Sequence, residues 1–343
     1  MQIDKTRVKK ILLIKPRGIG DVVLSSIVFD NLKEEFPEAK IDYLTEKPSN
    51  FLLEPLEFIN EVIIMKKKTL GDRIKLFSTI RKNKYDLVFD FYATPLTTQV
   101  TFLSGARYRV GFPYKGRKFA YNLFGPAERD KFHAAELHLE MIKSVGISGN
   151  HKNLEIGYNP DDVKFAEELK REIKPEGKLL IGVSPSGGWA SKKCPAEIFS
   201  KLVNETQKKF NCKILILWGP GDKDDAEYIY NNRINDEVIF APPTSIGQMA
   251  TCTSVCDMFI ANDSGPMHIS TATDTPTLSI HGPTDPKLQG PYGDKHSYIL
   301  VNDLDCIICN LLDCPKNQEC FRNIEVDQFI NEVGNVLTKN NLI

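Results

Sequence analysis

The run Ala261-Asn262-Asp263-Ser264-Gly265-Pro266-Met267-His268 brings a carboxylate, a hydroxyl, a glycine and an imidazole into one short stretch. The apolar residues 258–260 before it read as a buried parallel strand. Residues 268–272 read as a helix, with Pro266 suited to its first turn. Asp263 and Ser264 can cap that helix, and Gly265 lets the backbone approach a ligand closely. A strand passing through small residues into a helix N-terminus turns backbone N–H groups and a positive dipole end toward one point, and phosphate binding is the chemistry that follows. The plain alternative is a β–α turn whose aspartate only caps the helix.

Two further turns are built alike. Gly18-Ile19-Gly20-Asp21 separates a β-run at 11–14 from helical spacing over 22–36. Asp21 therefore falls at the carboxyl end of a first strand, where open α/β sheets place ligands, although it too could simply cap a helix. No third glycine follows at dinucleotide spacing and no acidic residue closes a second strand, so a nicotinamide cofactor is not expected. The third turn, Ser184-Pro185-Ser186-Gly187-Gly188-Trp189, follows an apolar run at 179–183.

The elements that must position these turns alternate along the chain. Strand patterns occur at 40–44, 61–65, 86–90 and 107–112, with an amphipathic helix over 69–82 and another helix over 132–145. His133 and His138 flank the latter and read as surface histidines. Residues 146–160 are rich in Gly, Ser, Asn and Pro and lead out of a first domain. A charged helix at 161–173 follows, and the pattern restarts: strands at 179–183, 213–218, 237–239, 258–260 and 277–280, with helices from 195, beyond 222 and from Ser245. The β–α alternation predicts two doubly wound α/β domains, 1–160 and 161–325, with a cleft between their strand ends. The tail, 326–343, holds an amphipathic helix expected to pack across the domain junction.

Composition narrows the possibilities. The 343 residues are 41% hydrophobic and 26% charged with a net charge of −1, which gives no general attraction to nucleic acid or to a membrane. Recognition of an anion must be local. Cations gather at Lys66, Lys67 and Lys68 and again over 107–118. They form either a solvated face or, at Arg107, Arg109, Lys115 and Arg117, a lining for an anionic acceptor. No apolar run is long enough to span a bilayer, and the first ten residues lack an apolar signal core. A cytoplasmic location is expected, with at most peripheral association at the inner face of the inner membrane.

Four passages then occur in a telling order: Arg17-Gly18-Ile19-Gly20-Asp21-Val22-Val23-Leu24, Lys192-Lys193-Cys194-Pro195 with Phe199, the stretch from Asn262 to His268, and His281-Gly282-Pro283-Thr284-Asp285-Pro286. Through them the sequence resembles glycosyltransferase family 9, the heptosyltransferases that use ADP-heptose to build lipopolysaccharide core. The resemblance implies an α/β chain of GT-B type, two facing Rossmann-like domains with mostly parallel sheets. It puts the acceptor on the first domain and the nucleotide sugar on the second. It also implies that Asp21 is the base, that Lys192 serves the donor phosphates and that Asp263 contacts the sugar.

The chemistry is consistent with that assignment. Glycosyl transfer needs a base for the acceptor hydroxyl and stabilisation of the departing diphosphate. Ser264 and Gly265 would hold the diphosphate through backbone N–H groups, Ser186 and Gly187 would touch it from a neighbouring loop, and His268 could bind phosphate or sugar. Trp218, Gly219, Asp222 and Met249 are candidates for the adenine pocket, with core packing the alternative for Trp218. Arg17 joins the acceptor set. For Lys192 the alternative is an exposed loop lysine, with Lys193 able to substitute. Attack by an acceptor on a separately held donor implies inversion without a covalent intermediate. A metal-independent reaction is expected, and Asp303-Leu304-Asp305, beyond the last expected strand, is set aside as coincidence. The rival readings are a sugar-nucleotide epimerase of the same architecture and a non-catalytic nucleotide-binding scaffold.

Cys306, Cys309, Cys314 and Cys320 have ligand spacing for a structural zinc or iron, and two local disulfides are the competing reading. Cys194, Cys212, Cys252 and Cys256 read as small buried hydrophobes. The expected partners are an ADP-sugar donor and an anionic glycolipid or other glycan acceptor.

Overall fold

The structure, a computed structural model, describes residues 2–173 and 177–343, which fall into two compact units, Met1–Gly157 and Tyr158–Ile343. The first unit contains β1 (Lys10–Ile14), α1 (Ile19–Ser25), α2 (Phe29–Glu35), β2 (Lys40–Thr45), β3 (Ile59–Ile64), α3 (Leu70–Lys82), β4 (Leu87–Asp90), α4 (Pro95–Ser104), β5 (Tyr108–Gly111), β6 (Leu123–Phe124) and α5 (Ala134–Lys143). Its strands form one parallel sheet in the order β3-β2-β1-β4-β5-β6. Chain order reverses between β1 and β4, so the loops after those two strands border the crevice where an open sheet binds its ligand.

The second unit repeats the plan with α6 (Pro160–Ile173), β7 (Leu180–Ser184), α7 (Ala196–Phe210), β8 (Lys213–Ile216), α8 (Lys223–Asn231), β9 (Val238–Phe240), α9 (Ile246–Ser254), β10 (Met258–Asn262), α10 (Gly265–Ala272), β11 (Thr277–Ile280), α11 (Pro286–Gln289), β12 (Ser297–Ile299), α12 (Glu319–Arg322) and α13 (Val326–Lys339). The sheet is again parallel, in the order β12-β11-β10-β7-β8-β9, with its reversal between β7 and β10. Both β7 and β10 are buried along their whole length, as strands covered on both faces must be.

Three differences from the sequence reading have local causes. The helix expected over 22–36 is broken by a 3₁₀ turn at Ser26–Val28. The hydroxyls of Ser25 and Ser26 donate back to the carbonyls of Val22 and Val23 at 2.7 and 2.6 Å, which tightens that turn. The sixth strand of the second sheet, β12, was not anticipated, because three residues of mixed burial carry little pattern. His138, expected at the surface, is 2% exposed, with its ring edge-on to Phe91 at 5.0 Å. Burial holds its imidazole well below the usual histidine range, with the Lys15 and Arg129 charges acting in the same direction. The apolar face of α13, including Phe329, Val333 and Leu337, belongs to the second unit's core together with Phe199 and Phe321.

Candidate active site

The second unit builds a phosphate-sized set of donors around the ends of β7 and β10. Asn262, the last residue of β10, is fully buried and acts as a staple. Its amide donates to the carbonyls of Pro185 and Ser186 at 2.9 and 3.3 Å, and its oxygen accepts from the Cys194 N–H at 3.4 Å. One side chain therefore fixes the turn after β7, the segment holding Lys192 and the start of α10. At Gly187 a Cβ would lie 2.4 Å from the Lys193 side chain, so a glycine is required by close approach.

Ser264 is the N-cap of α10, yet its hydroxyl makes no capping bond and instead donates to the Asn262 carbonyl at 3.1 Å. Asp263 does not cap either. Its carboxylate takes the Lys192 ammonium at 2.6 Å and the Thr284 hydroxyl at 2.5 Å. The first-turn N–H groups of α10 are thus left uncapped by side chains and available to an anion. Lys192 and Asp263 are both buried, and the Lys192 ammonium also lies over the Trp189 ring, 4.2 Å from its centroid.

Burial alone would raise the Asp263 pKa, but the positive charges of its neighbours outweigh this and hold it below the ordinary carboxylate value. His281 contributes only when protonated. Burial pushes that imidazole down to about 4, so at neutral pH the Lys192 ammonium acts on Asp263 where His281 does not. His281 is held between the Ser279 hydroxyl at 2.9 Å and the Thr284 hydroxyl at 3.5 Å.

The structure separates the two adjacent lysines. Lys193 is committed to Asp222 at 2.6 Å, Asp225 at 3.1 Å and the Gly221 carbonyl at 3.0 Å, so it is no substitute for Lys192. Asp222 also accepts from the Ser186 hydroxyl at 2.6 Å, which ties the expected phosphate turn to the end of β8. Trp218 donates to the Ala241 carbonyl at 2.9 Å and stacks on Phe240, which is the packing alternative. Gly219 stands at this turn, Met249 is buried on α9, and His268 is buried one turn into α10.

The first unit carries its own polar cluster at the ends of β1 and β2. Asp21, in the first turn of α1, is half exposed and pairs with the buried ammonium of Lys15 at 3.0 Å. Lys15 also lies over the Tyr92 ring at 5.3 Å. Glu46 gathers Arg17, at 3.4 Å, and Lys67. Arg117 donates to the Ala93 carbonyl beyond β4, and Lys115 is exposed in the loop after β5. Two expected acceptor residues stand apart from this cluster. Arg107 precedes β5, at the opposite end of the strand from the ligand-bearing loops. Arg109 spends its guanidinium on the carbonyls of Ala120 and Ala106, at 2.8 and 2.6 Å.

The structural metal expected at the cysteine cluster is not supported. Cys306, Cys309, Cys314 and Cys320 are free thiols, and among the described residues no group of three or more His, Cys, Asp or Glu side chains is placed to hold a metal ion. Burial, and after it the neighbouring thiols, pushes Cys320 up to about 12. The expectation for the other four cysteines holds: all are buried.

Residues 73–318 match the family model described as glycosyltransferase family 9 (heptosyltransferase). The chain belongs to glycosyltransferase family 9. Similar to this family 9 chain is the lipooligosaccharide heptosyltransferase 2 of Campylobacter jejuni, 26% identical over 97% of this chain and 100% of that one. Among solved structures, a family 9 glycosyltransferase from Veillonella parvula superposes with a TM-score of 0.83 at 21% identity, covering 96% of this chain and 97% of that one. An Escherichia coli ADP-heptose lps heptosyltransferase II does so with 0.78 at 18% identity, covering 97% and 99%. The GT-B class expected for the fold follows from these likenesses. Membership of a transferase family also displaces the epimerase and scaffold readings.

Lys15, Glu46, Asn262, Trp189, His281 and Thr284 were not singled out as site residues from sequence. A lysine directly after an apolar strand, and a histidine and threonine directly after another, were the available signals.

Proposed function

We propose that this protein transfers heptose from ADP-heptose to a lipopolysaccharide core or related glycan acceptor in the cytoplasm, with inversion at the anomeric carbon. The observation that carries the reading is the buried Lys192–Asp263 pair beside the side-chain-free N-terminus of α10. In the absence of donor the two charges neutralise each other. An arriving diphosphate offers Lys192 a doubly charged partner and the α10 N–H groups a ligand, and Asp263 is released to accept from sugar hydroxyls while Thr284 keeps its position. Ser186 and Gly187 border the same phosphates.

Asp21 takes the proton from the acceptor hydroxyl as that oxygen attacks the anomeric carbon. The C–O bond to the diphosphate breaks in the same displacement, and ADP leaves with its electron pair. Lys15 holds the Asp21 carboxylate in place. Arg17, Lys115 and Arg117 suit an anionic acceptor. Lys192 and the helix dipole supply the positive charge that a metal ion provides in other transferases, so EDTA should leave turnover unchanged.

The test is ADP release from ADP-heptose with and without a heptose-deficient core acceptor. Release only with acceptor is expected, and Asp21→Asn should abolish it while ADP binds within about twofold of wild type. Undiminished turnover in Asp21→Asn, or tighter binding of UDP or GDP than of ADP, would overturn the assignment.

A further inference from the structure

The first unit exposes apolar side chains where its core has no use for them. Phe119 is 62% exposed, Phe102 on α4 49% and the adjacent Leu103 42%. The Phe102 and Phe119 rings meet edge to face, 5.6 Å between centroids, so these two form one patch, with Leu103 next to Phe102 on α4. Phe119 also lines a groove of about 520 Å³ with Pro113, Lys115, Gly116 and Lys118. Lys115 and Lys118 are exposed, and among the described residues neither is in an ion pair.

We infer that this patch docks the first unit on an anionic lipid bilayer, with the Phe119, Phe102 and Leu103 side chains entering the headgroup–acyl boundary and Lys115 and Lys118 meeting anionic headgroups. Charge complementarity selects this occupant. The chain's net charge of −1 gives no general attraction, so the cations act only where they cluster beside apolar surface. Lysine is a compact, rotatable charge that suits a fluid surface, whereas directional recognition of a protein partner favours arginine. The arginine of this loop, Arg117, donates to the Ala93 carbonyl beyond β4. The inference does not depend on the transferase reading.

Vesicle co-sedimentation tests it, with full-length protein and lipids carrying no acceptor sugar. Wild type should sediment with vesicles containing phosphatidylglycerol and stay in solution with phosphatidylcholine alone. Lys118→Glu removes one cation and adds an anion, which should weaken binding about thirtyfold. Phe119→Ser should weaken it about tenfold, with an unchanged melting temperature showing that the fold persists. Equal binding to both vesicle types, no binding by wild type, or retention by either variant would overturn the inference. So would a concentration-dependent dimer that Phe119→Ser disrupts without any vesicle binding, which would give the patch to a second copy of the chain.

Discussion

At the scale of single residues, the second unit resolves an ambiguity between neighbours that type alone leaves open. Lys192 and Lys193 are chemically identical, yet one ammonium is buried on Asp263 and the other is shared by Asp222 and Asp225. Only the first can be handed to a diphosphate without dismantling the β8 turn. Lys192→Met is therefore expected to lower kcat about a hundredfold or more, the scale of losing one preorganised positive group on a developing anion. Lys193→Met should stay within about tenfold of wild type. Steady-state kinetics with ADP-heptose decides, and equal losses in the two variants would defeat the distinction. Turn position drew attention to Asp21 and Asp263, and the family resemblance added Lys192; all three stand between a strand and a helix. It did not reveal Asn262 as a staple, since that role consists of bonds to Pro185, Ser186 and Cys194, about 70 to 80 residues away in sequence.

At the scale of elements, the turns matter more than the helices they begin. Between β1 and α1, Gly18 has φ +80°, and a Cβ there would stand 2.3 Å from Asp21 Oδ2. The glycine is needed twice, for the backbone conformation and for the space the carboxylate occupies. Gly18→Ala should displace Asp21 and reduce turnover about a hundredfold, as ångström-scale misplacement of a reacting group does, while ADP affinity is preserved. Full turnover in this variant would mean that Asp21 is not held by the turn. Strand and helix periodicity made nearly every buried strand legible, because parallel strands covered on both faces are continuous apolar runs. It failed where tertiary contacts decide. Serine back-bonding broke the first helix, β12 is three residues long, and His138 sits inside because α5 turns it onto Phe91.

At the scale of the whole molecule, the buried histidines tie stability to pH. Burial pushes both His281 and His296 from 6.5 down to about 4, with Asp263 and Asp285 opposing at His281 and Lys192 assisting; Asp274 and Asp294 oppose at His296, where Lys295 and Lys339 assist. His138 in the first unit is shifted in the same direction. In the unfolded chain these rings take up protons below about pH 6.5, whereas in the folded chain those of His281 and His296 stay neutral until about pH 4. The unfolded state binds more protons in that window, so the stability from keeping the rings neutral is complete above about 6.5 and is lost as pH falls toward 4. For His281, which is fully buried, the difference corresponds to about 3 kcal/mol. Melting temperature followed by circular dichroism should therefore fall steadily from pH 7 to pH 4.5. His281→Gln keeps an amide that can meet Ser279 and Thr284 but cannot be charged, and its melting temperature should fall less steeply over the same range. A slope identical to wild type would show that His281 titrates alike in the folded and unfolded chain and contributes nothing to this pH dependence.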